Sequence, residues 1–99
     1  RPIVIDTREP DERARGYVPG SVHIPRGVLE RDIEAAAFGH AAGDEDLARP
    51  IVCYCGGGSR SALAADSLLK MGFTNVYSLE GGFKAWGESG KAVGHDRSK

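Results

Sequence analysis

One short stretch of the sequence combines a candidate nucleophile, three consecutive glycines and an arginine, whose charge is permanent. Residues 55–61 read CGGGSRS, and the apolar run before them predicts a buried strand that ends at Cys55. In open parallel sheets, ligands bind beyond the carboxyl ends of the strands. The next three residues, Gly56, Gly57 and Gly58, carry no Cβ atoms, so their N–H groups can turn inward as a nest for an anion.

The helix predicted to follow, capped by Ser59 or a neighbour, should add unpaired N–H groups and partial positive charge. These groups are expected to lower the pKa of the Cys55 thiol, so that it is a thiolate at neutral pH. Arg60 supplies a forked cation suited to an oxyanion such as a thiosulfonate or a phosphate. Singly, such residues often belong to a flexible turn, an inert core or a solvated surface, and it is their order that favours chemistry.

The second thiol, Cys53, is separated from Cys55 by one residue. On a strand the two side chains would share a face about 6.6 Å apart, which is too far for a disulfide. No zinc-ligand spacing is present, because the three histidines are scattered. We assign Cys53 to the core in preference to a resolving thiol.

Strands and helices are predicted to alternate along the rest of the chain. The fold class is therefore α/β, with a small, mostly parallel sheet of four or five strands flanked by helices on both faces. Trp86 is expected to anchor the last helix, and residues 94–99 are expected to form a disordered tail. The predicted strands are 3–5, 21–24, 51–55 and 76–79, the predicted helices are 10–16, 28–38, 60–71 and 83–88, and 39–49 is predicted as a loop with at most one helical turn.

Composition limits the partners. The 99 residues are 40% hydrophobic, and 13 basic and 14 acidic side chains are interleaved to a net charge of -1. One domain is expected, with neither nucleic acid nor membrane as a main partner. No apolar run approaches the ~20 residues that span a bilayer, and the first residues do not read as a signal peptide, so a cytoplasmic protein is expected. Dinucleotide and ATP loops do not fit, because Ser61 and Ala92 stand where those motifs need glycine and Ser or Thr.

Four segments in order resemble the single-domain rhodanese family. CGGGSRS matches the active-site loop of that family, which runs Cys, two variable residues, Gly, one variable residue, Arg, Ser. The other three segments are IDTREP at 5–10, GYVPGS at 16–21 and LEGGFKAW at 79–86. The chain departs from the family at Tyr17, where histidine is usual. It also begins almost directly at the Asp-x-Arg segment, so the domain is predicted to span 1–93, either lacking the usual first strand and helix or being a piece of a longer chain.

The resemblance implies a sulfurtransferase in which Cys55 carries a persulfide. A small donor such as thiosulfate would supply the sulfur, and cyanide, a thiol or a protein would accept it. N–H groups from Gly56 to Ser61 would stabilise the anion, so no metal or organic cofactor is expected. Arg60 would orient the donor or close the loop. Asp6 and Arg8 are interpreted as a structural pair near the site, and His23 as a hydrogen-bonded strand histidine.

Two alternatives stay open at this stage. One is a persulfide carrier or regulatory interaction module within a sulfur relay, which would share the same loaded state. The other, less favoured, is a phosphatase or arsenate reductase of related fold. Such enzymes need five residues between the cysteine and the arginine, whereas four lie between Cys55 and Arg60.

Overall fold

A computed structural model describes residues 2–79 and 81–84. Short helices alternate with four strands in this part of the chain. The strands are β1 (Ile3–Asp6), β2 (Val22–His23), β3 (Ile51–Tyr54) and β4 (Val76–Ser78). The α-helices are α1 (Pro10–Ala14), α2 (Leu29–Ile33), α3 (Asp44–Leu47) and α4 (Ser59–Lys70), with a 3₁₀ turn at Arg26–Val28 and a π-helical turn at Glu34–Phe38. Residues 82–84 are also helical.

The four strands form one parallel sheet in the order β2-β1-β3-β4. The register of the two central strands pairs Ile5 with Cys53 and Asp6 with Tyr54. Both strands therefore end side by side, and the segments that follow them meet at the carboxyl edge of the sheet. This architecture confirms the predicted α/β fold with a parallel sheet.

The main core lies between the sheet and the pair α2 and α4. The strands supply β-branched side chains at alternate positions, as the two-residue period of a strand requires. Each of these residues is at most 8% exposed, so water is excluded from this face of the sheet. The packed residues include Ile3, Ile5, Ile51 and Cys53 from the strands, Leu29 and Ile33 from α2, and Ala64 and Leu68 from α4.

The segment 28–38, predicted as one helix, is divided among the 3₁₀ turn, the helix α2 and the π-helical turn. After α2 the chain widens into the π-helical turn, in which the N–H of Gly39 donates to the carbonyl of Glu34 over 2.9 Å. The turn ends where Gly39 adopts a φ of +77°, a left-handed conformation that glycine reaches without a Cβ clash. It leaves Phe38 stacked on buried Phe73, with ring centroids 6.0 Å apart.

Two predicted boundaries near the glycine loop were wrong by one residue. The strand β3 ends at Tyr54, so Cys55 is the first residue beyond it. The helix α4 begins at Ser59, one residue before the predicted start, and its cap is Gly58, a neighbour of Ser59 as predicted, with a φ of +112°. The left-handed backbone of Gly58 turns its N–H toward the Cys55 sulfur, which the sequence pattern alone does not reveal.

Other predictions fall partly outside the described residues. The helix 83–88, its anchor Trp86 and the tail 94–99 lie there, except for residues 83 and 84. None of the helices in the described ranges combines the length and the apolar character needed to cross a bilayer.

Candidate active site

The Cys55 side chain lies at the centre of the glycine loop. Its Sγ accepts hydrogen bonds from the backbone N–H of Gly58 at 3.0 Å and of Ser61 at 3.4 Å. The Ser61 hydroxyl lies 3.6 Å from the same sulfur. The residue is 1% exposed, so these donors replace water around the sulfur. The loop is therefore built to hold a negative charge at this atom.

Burial by itself would raise the pKa of Cys55. The N–H and hydroxyl groups of Ser61, with the backbone N–H groups of Gly58 and Arg60, more than offset that effect and lower the pKa below its ordinary value of 9.0. Cys53 has the opposite environment. It is fully buried in the core, and burial raises its pKa to about 12. Both cysteines are free thiols, and of the two only Cys55 has surroundings that favour the thiolate.

Ser61 fastens the loop from beneath. Its hydroxyl lies 3.1 Å from the carbonyl oxygen of Gly58 and 2.8 Å from the Ser78 hydroxyl on β4. Ser61 is fully buried, whereas Ser78 is exposed, so the Ser61 hydroxyl links the buried side of the loop to the surface of β4. Ser78 was not singled out from the sequence, because nothing in the local pattern of β4 places it under the loop.

The loop glycines serve different purposes. A Cβ atom on Gly56 would lie 3.3 Å from Nη2 of Arg60, so the absence of a side chain there lets the arginine lie across the backbone. Among the described residues, no atom stands within 4 Å of a Cβ built on Gly57, which lies on the open side of the loop. Gly56 thus makes room for Arg60, and Gly57 keeps the approach clear.

Residues 81–84 lie against the backbone of Cys55 and Gly56. We call this segment the second wall of the site, the glycine loop being the first. The N–H of Phe83 donates to the carbonyl of Cys55 at 2.6 Å, and the N–H of Lys84 donates to that of Gly56 at 3.1 Å. Gly82 has a φ of +59°, and a Cβ atom there would overlap the Cys55 carbonyl and lie 2.7 Å from the Gly56 oxygen. The sequence marked the Gly81-Gly82 pair only as the entry to a helix, and its close approach to the loop was missed.

Arg60 is held by a residue that the sequence did not identify as part of the site. Its Nη1 and Nη2 atoms donate to Oε1 and Oε2 of Glu12 at 2.6 and 2.8 Å. The hydrogen bonds from Arg60 lower the pKa of Glu12 to about 2. Glu12 reads from the sequence as an ordinary acidic residue in the first turn of α1, and it is separated from Arg60 by 48 positions. No local signal could have paired the two.

Asp6 and Arg8 form a buried ion pair at the end of β1. Arg8 donates from its backbone N, from Nε and from Nη2 to the Asp6 carboxylate, each at 3.0 Å. Burial opposes the charge on Asp6, but the bonds from Arg8 outweigh it and lower the pKa of the carboxyl. Arg13 adds a further bond to Asp6 at 3.2 Å. The guanidinium of Arg8 lies 4.3 Å from the ring centroid of Phe83, so this pair supports the second wall of the site.

His23 is hydrogen bonded and lies away from the sulfur. Its Nε2 atom is 2.7 Å from the carbonyl oxygen of Arg8. A surface cavity of about 370 Å³ lies beside it and is lined by Pro10, Arg13, Ala14, Tyr17 and His23. We do not assign the chemistry to this cavity, because none of its lining residues carries a thiol and Cys55 does not line it.

Comparisons with known proteins agree with this geometry. The family model of the rhodanese-like domain matches residues 1–89. A curated thiosulfate sulfurtransferase GlpE from Pseudomonas aeruginosa is 41% identical over 83 residues, which cover 84% of this chain and 67% of that protein.

Solved structures show the same likeness. A rhodanese-related protein from Thermoplasma volcanium aligns with a TM-score of 0.79 and 29% identity, covering 96% of this chain and 85% of that one. A protein of unknown function from Rhodopseudomonas palustris, described as a possible tyrosine phosphatase, aligns with a TM-score of 0.78 and 38% identity over 94% of this chain and 70% of that one. The family match over residues 1–89 and the parallel sheet that ends at the Cys55 loop show that this chain belongs to the rhodanese-like domain family.

Proposed function

We propose that the chain is a sulfurtransferase that carries sulfane sulfur as a persulfide on Cys55. The observation that supports this most directly is the set of N–H donors around the Cys55 sulfur, because they favour an anion on that atom and on no other thiol described. The naming of curated relatives as thiosulfate sulfurtransferases supports the same reaction class.

The proposed reaction has two half-reactions. In the first, the Cys55 thiolate attacks the outer sulfur of thiosulfate, a new S–S bond forms, and the old S–S bond breaks with its electron pair leaving on sulfite. In the second, cyanide or a thiolate attacks the outer sulfur of the persulfide, and the bond breaks with its electron pair returning to Cys55. Neither half-reaction needs an oxidant or an external base, since every nucleophile and leaving group is already an anion.

The residues around the sulfur have distinct roles in this proposal. Gly58 and Ser61 donate hydrogen bonds that stabilise the thiolate before the attack and the persulfide anion after it. Gly57, which has no side chain, leaves room for a donor and for an acceptor such as a protein, and Gly56 leaves the space in which Arg60 lies. Asp6 and Arg8 hold the end of β1 and the second wall in place, and they are positioning residues.

The decisive experiment is intact mass spectrometry after thiosulfate treatment, combined with turnover of thiosulfate with cyanide. We expect the wild type and Cys53→Ala to gain one sulfur atom and Cys55→Ala to gain none. Sulfur uptake that survives in Cys55→Ala would refute the assignment. Sulfur uptake with negligible turnover of thiosulfate with cyanide would overturn the proposed enzymatic activity and indicate a persulfide carrier.

The phosphatase alternative is tested in the same preparation. With four residues between Cys55 and Arg60, the loop is shorter than the ring that holds a tetrahedral oxyanion in that class. We expect no hydrolysis of an aryl phosphate. Hydrolysis that depends on Cys55, without sulfur uptake, would refute the sulfurtransferase. A cytoplasmic location and the choice of acceptor stay predictions.

A further inference from the structure

Glu12 occupies the Nη1–Nη2 edge of the Arg60 guanidinium. A guanidinium binds a planar or tetrahedral oxyanion through two parallel N–H groups, and here Nη1 and Nη2 both point at the Glu12 carboxylate. The side chains of Arg60 and Glu12 are 36% and 25% exposed, so the pair is accessible from solvent. An anionic donor that approaches Arg60 meets a carboxylate already in the place it would take.

This ion pair lies at the mouth of the Cys55 loop. A Cβ atom on Gly56 would lie 3.3 Å from Nη2 of Arg60 and 3.7 Å from Oε2 of Glu12, so both side chains rest against the backbone next to the sulfur. Arg60 also interacts electrostatically with Cys55. Glu12 therefore reduces the positive potential that an incoming anion encounters just before it reaches the thiolate.

Glu12 is itself fixed in position. Its Oε1 atom accepts a second hydrogen bond from the backbone N–H of Glu9 at 3.0 Å, at the start of α1. The carboxylate is thus anchored at a helix N-terminus, where negative charge is stabilised, and does not depend on Arg60 alone for its orientation.

We propose that Glu12 is a specificity-determining residue that competes with anionic donors for Arg60 and so shifts the site toward uncharged sulfur donors. This inference rests on the proposed sulfurtransferase function, which it deepens by naming the class of donor that is disfavoured. Thiosulfate then competes with Glu12 for the Nη1–Nη2 edge of Arg60.

The test compares Glu12→Gln with Asp11→Asn, a matched control. Asp11 neighbours Glu12 on α1, its side chain is 78% exposed, and its recorded ion pair is a 3.9 Å contact with Arg15. Both substitutions remove one negative charge from the same helix. Cys55 is alkylated with iodoacetate, an anion, and with iodoacetamide, its uncharged counterpart, and the KM and kcat for thiosulfate are measured separately.

We expect Glu12→Gln to raise the iodoacetate-to-iodoacetamide rate ratio and to lower the KM for thiosulfate, each by about fivefold, the upper end for a partly exposed ion pair. The kcat should change little, and Asp11→Asn should leave both quantities as in the wild type. In an Arg60→Ala background, Glu12→Gln should have no further effect on the ratio, since the contested cation is absent.

An unchanged ratio in Glu12→Gln, or an equal slowing of both reagents, would overturn the inference and leave the ion pair as a loop support only. A ratio change that persists in Arg60→Ala would also overturn it. If no variant takes up sulfur from thiosulfate, the proposed function fails, while the alkylation ratio still decides the role of Glu12.

Discussion

The two thiols of the folded protein should differ sharply in reactivity. We predict that iodoacetamide at pH 7 modifies Cys55 and leaves Cys53 untouched, although the two residues are almost adjacent in sequence. The reagent is uncharged, so the comparison reports thiolate content and access without the influence of Arg60. Alkylation by iodoacetamide therefore tests the prediction in the wild-type protein, without any substitution.

The expected magnitude follows from the two environments. Burial raises the pKa of Cys53 to about 12, so only about 10⁻⁵ of it is thiolate at pH 7. The hydrogen bonds to Cys55 lower its pKa below 9.0, so more than about 10⁻² of it is thiolate at the same pH. Ionisation alone therefore favours Cys55 by about a thousandfold or more. Burial does not separate the two thiols, since Cys53 is 0% and Cys55 is 1% exposed, so the prediction rests on ionisation.

The assay is peptide mass spectrometry at a series of reaction times, with Cys53→Ala and Cys55→Ala as matched controls. The Cys53→Ala variant should react at the wild-type rate, and Cys55→Ala should react only after denaturant is added. As the pH falls, the rate for Cys55 should decline around a pKa below 9.0, because the thiolate is the reactive form.

Labelling of Cys53 at a rate within about tenfold of Cys55 in the folded protein would refute the reasoning. So would a Cys55 rate whose midpoint lies at or above pH 9.0. Either result would mean that the loop donors do not stabilise the thiolate, and the proposed persulfide chemistry would lose its physical basis.

Three further predictions concern the scaffold of the site. Asp6→Ala should lower the free energy of unfolding by about 3–5 kcal/mol in urea titrations, because it leaves the buried guanidinium of Arg8 without its carboxylate. Gly82→Ala should lower the free energy of unfolding by about 1–3 kcal/mol and slow Cys55 alkylation, since its Cβ would clash with the Cys55 carbonyl from a left-handed backbone. The Glu12 pair should contribute about 1 kcal/mol or less, after solvent screening, to stability above pH 4.5 and lose it as the pH falls toward about 2, since folding depresses the Glu12 pKa; urea titrations against pH measure this.

Each of these has a control. Asp11→Asn should leave the urea midpoint unchanged, and a loss in Asp6→Ala below about 1 kcal/mol would contradict the buried-pair argument. Gly57→Ala should be tolerated, because no atom of residues 2–79 and 81–84 lies within 4 Å of its Cβ position, and equal effects at positions 57 and 82 would contradict the packing described. In Glu12→Gln the acid-dependent loss of stability should be smaller. An unchanged profile of stability against pH would contradict the link between Glu12 protonation and stability.

Much of the fold could be predicted from local patterns. Strands with β-branched residues, the proline that opens α1 and the glycines that end the helices are signals within a few residues of the features they produce. The π-helical turn at Glu34–Phe38 was not predictable in this way, because its apolar spacing is that of an ordinary helix and its geometry is set in the folded core. The predicted end of β3 was one residue too late, because pairing across the sheet, not local propensity, ends a strand.

The candidate site divides along the same line. The sequence by itself identified Cys55 as the candidate nucleophile and showed that a glycine turn follows it, since Cys55 and its loop are contiguous and glycine permits backbone conformations that other residues avoid. Only the tertiary structure decided what surrounds that loop: Glu12 on Arg60, Ser78 beneath Ser61, and Gly82 against the Cys55 carbonyl. The physical reason is that the parallel sheet brings the ends of separate strands to one edge, so partners that are distant along the chain become neighbours there.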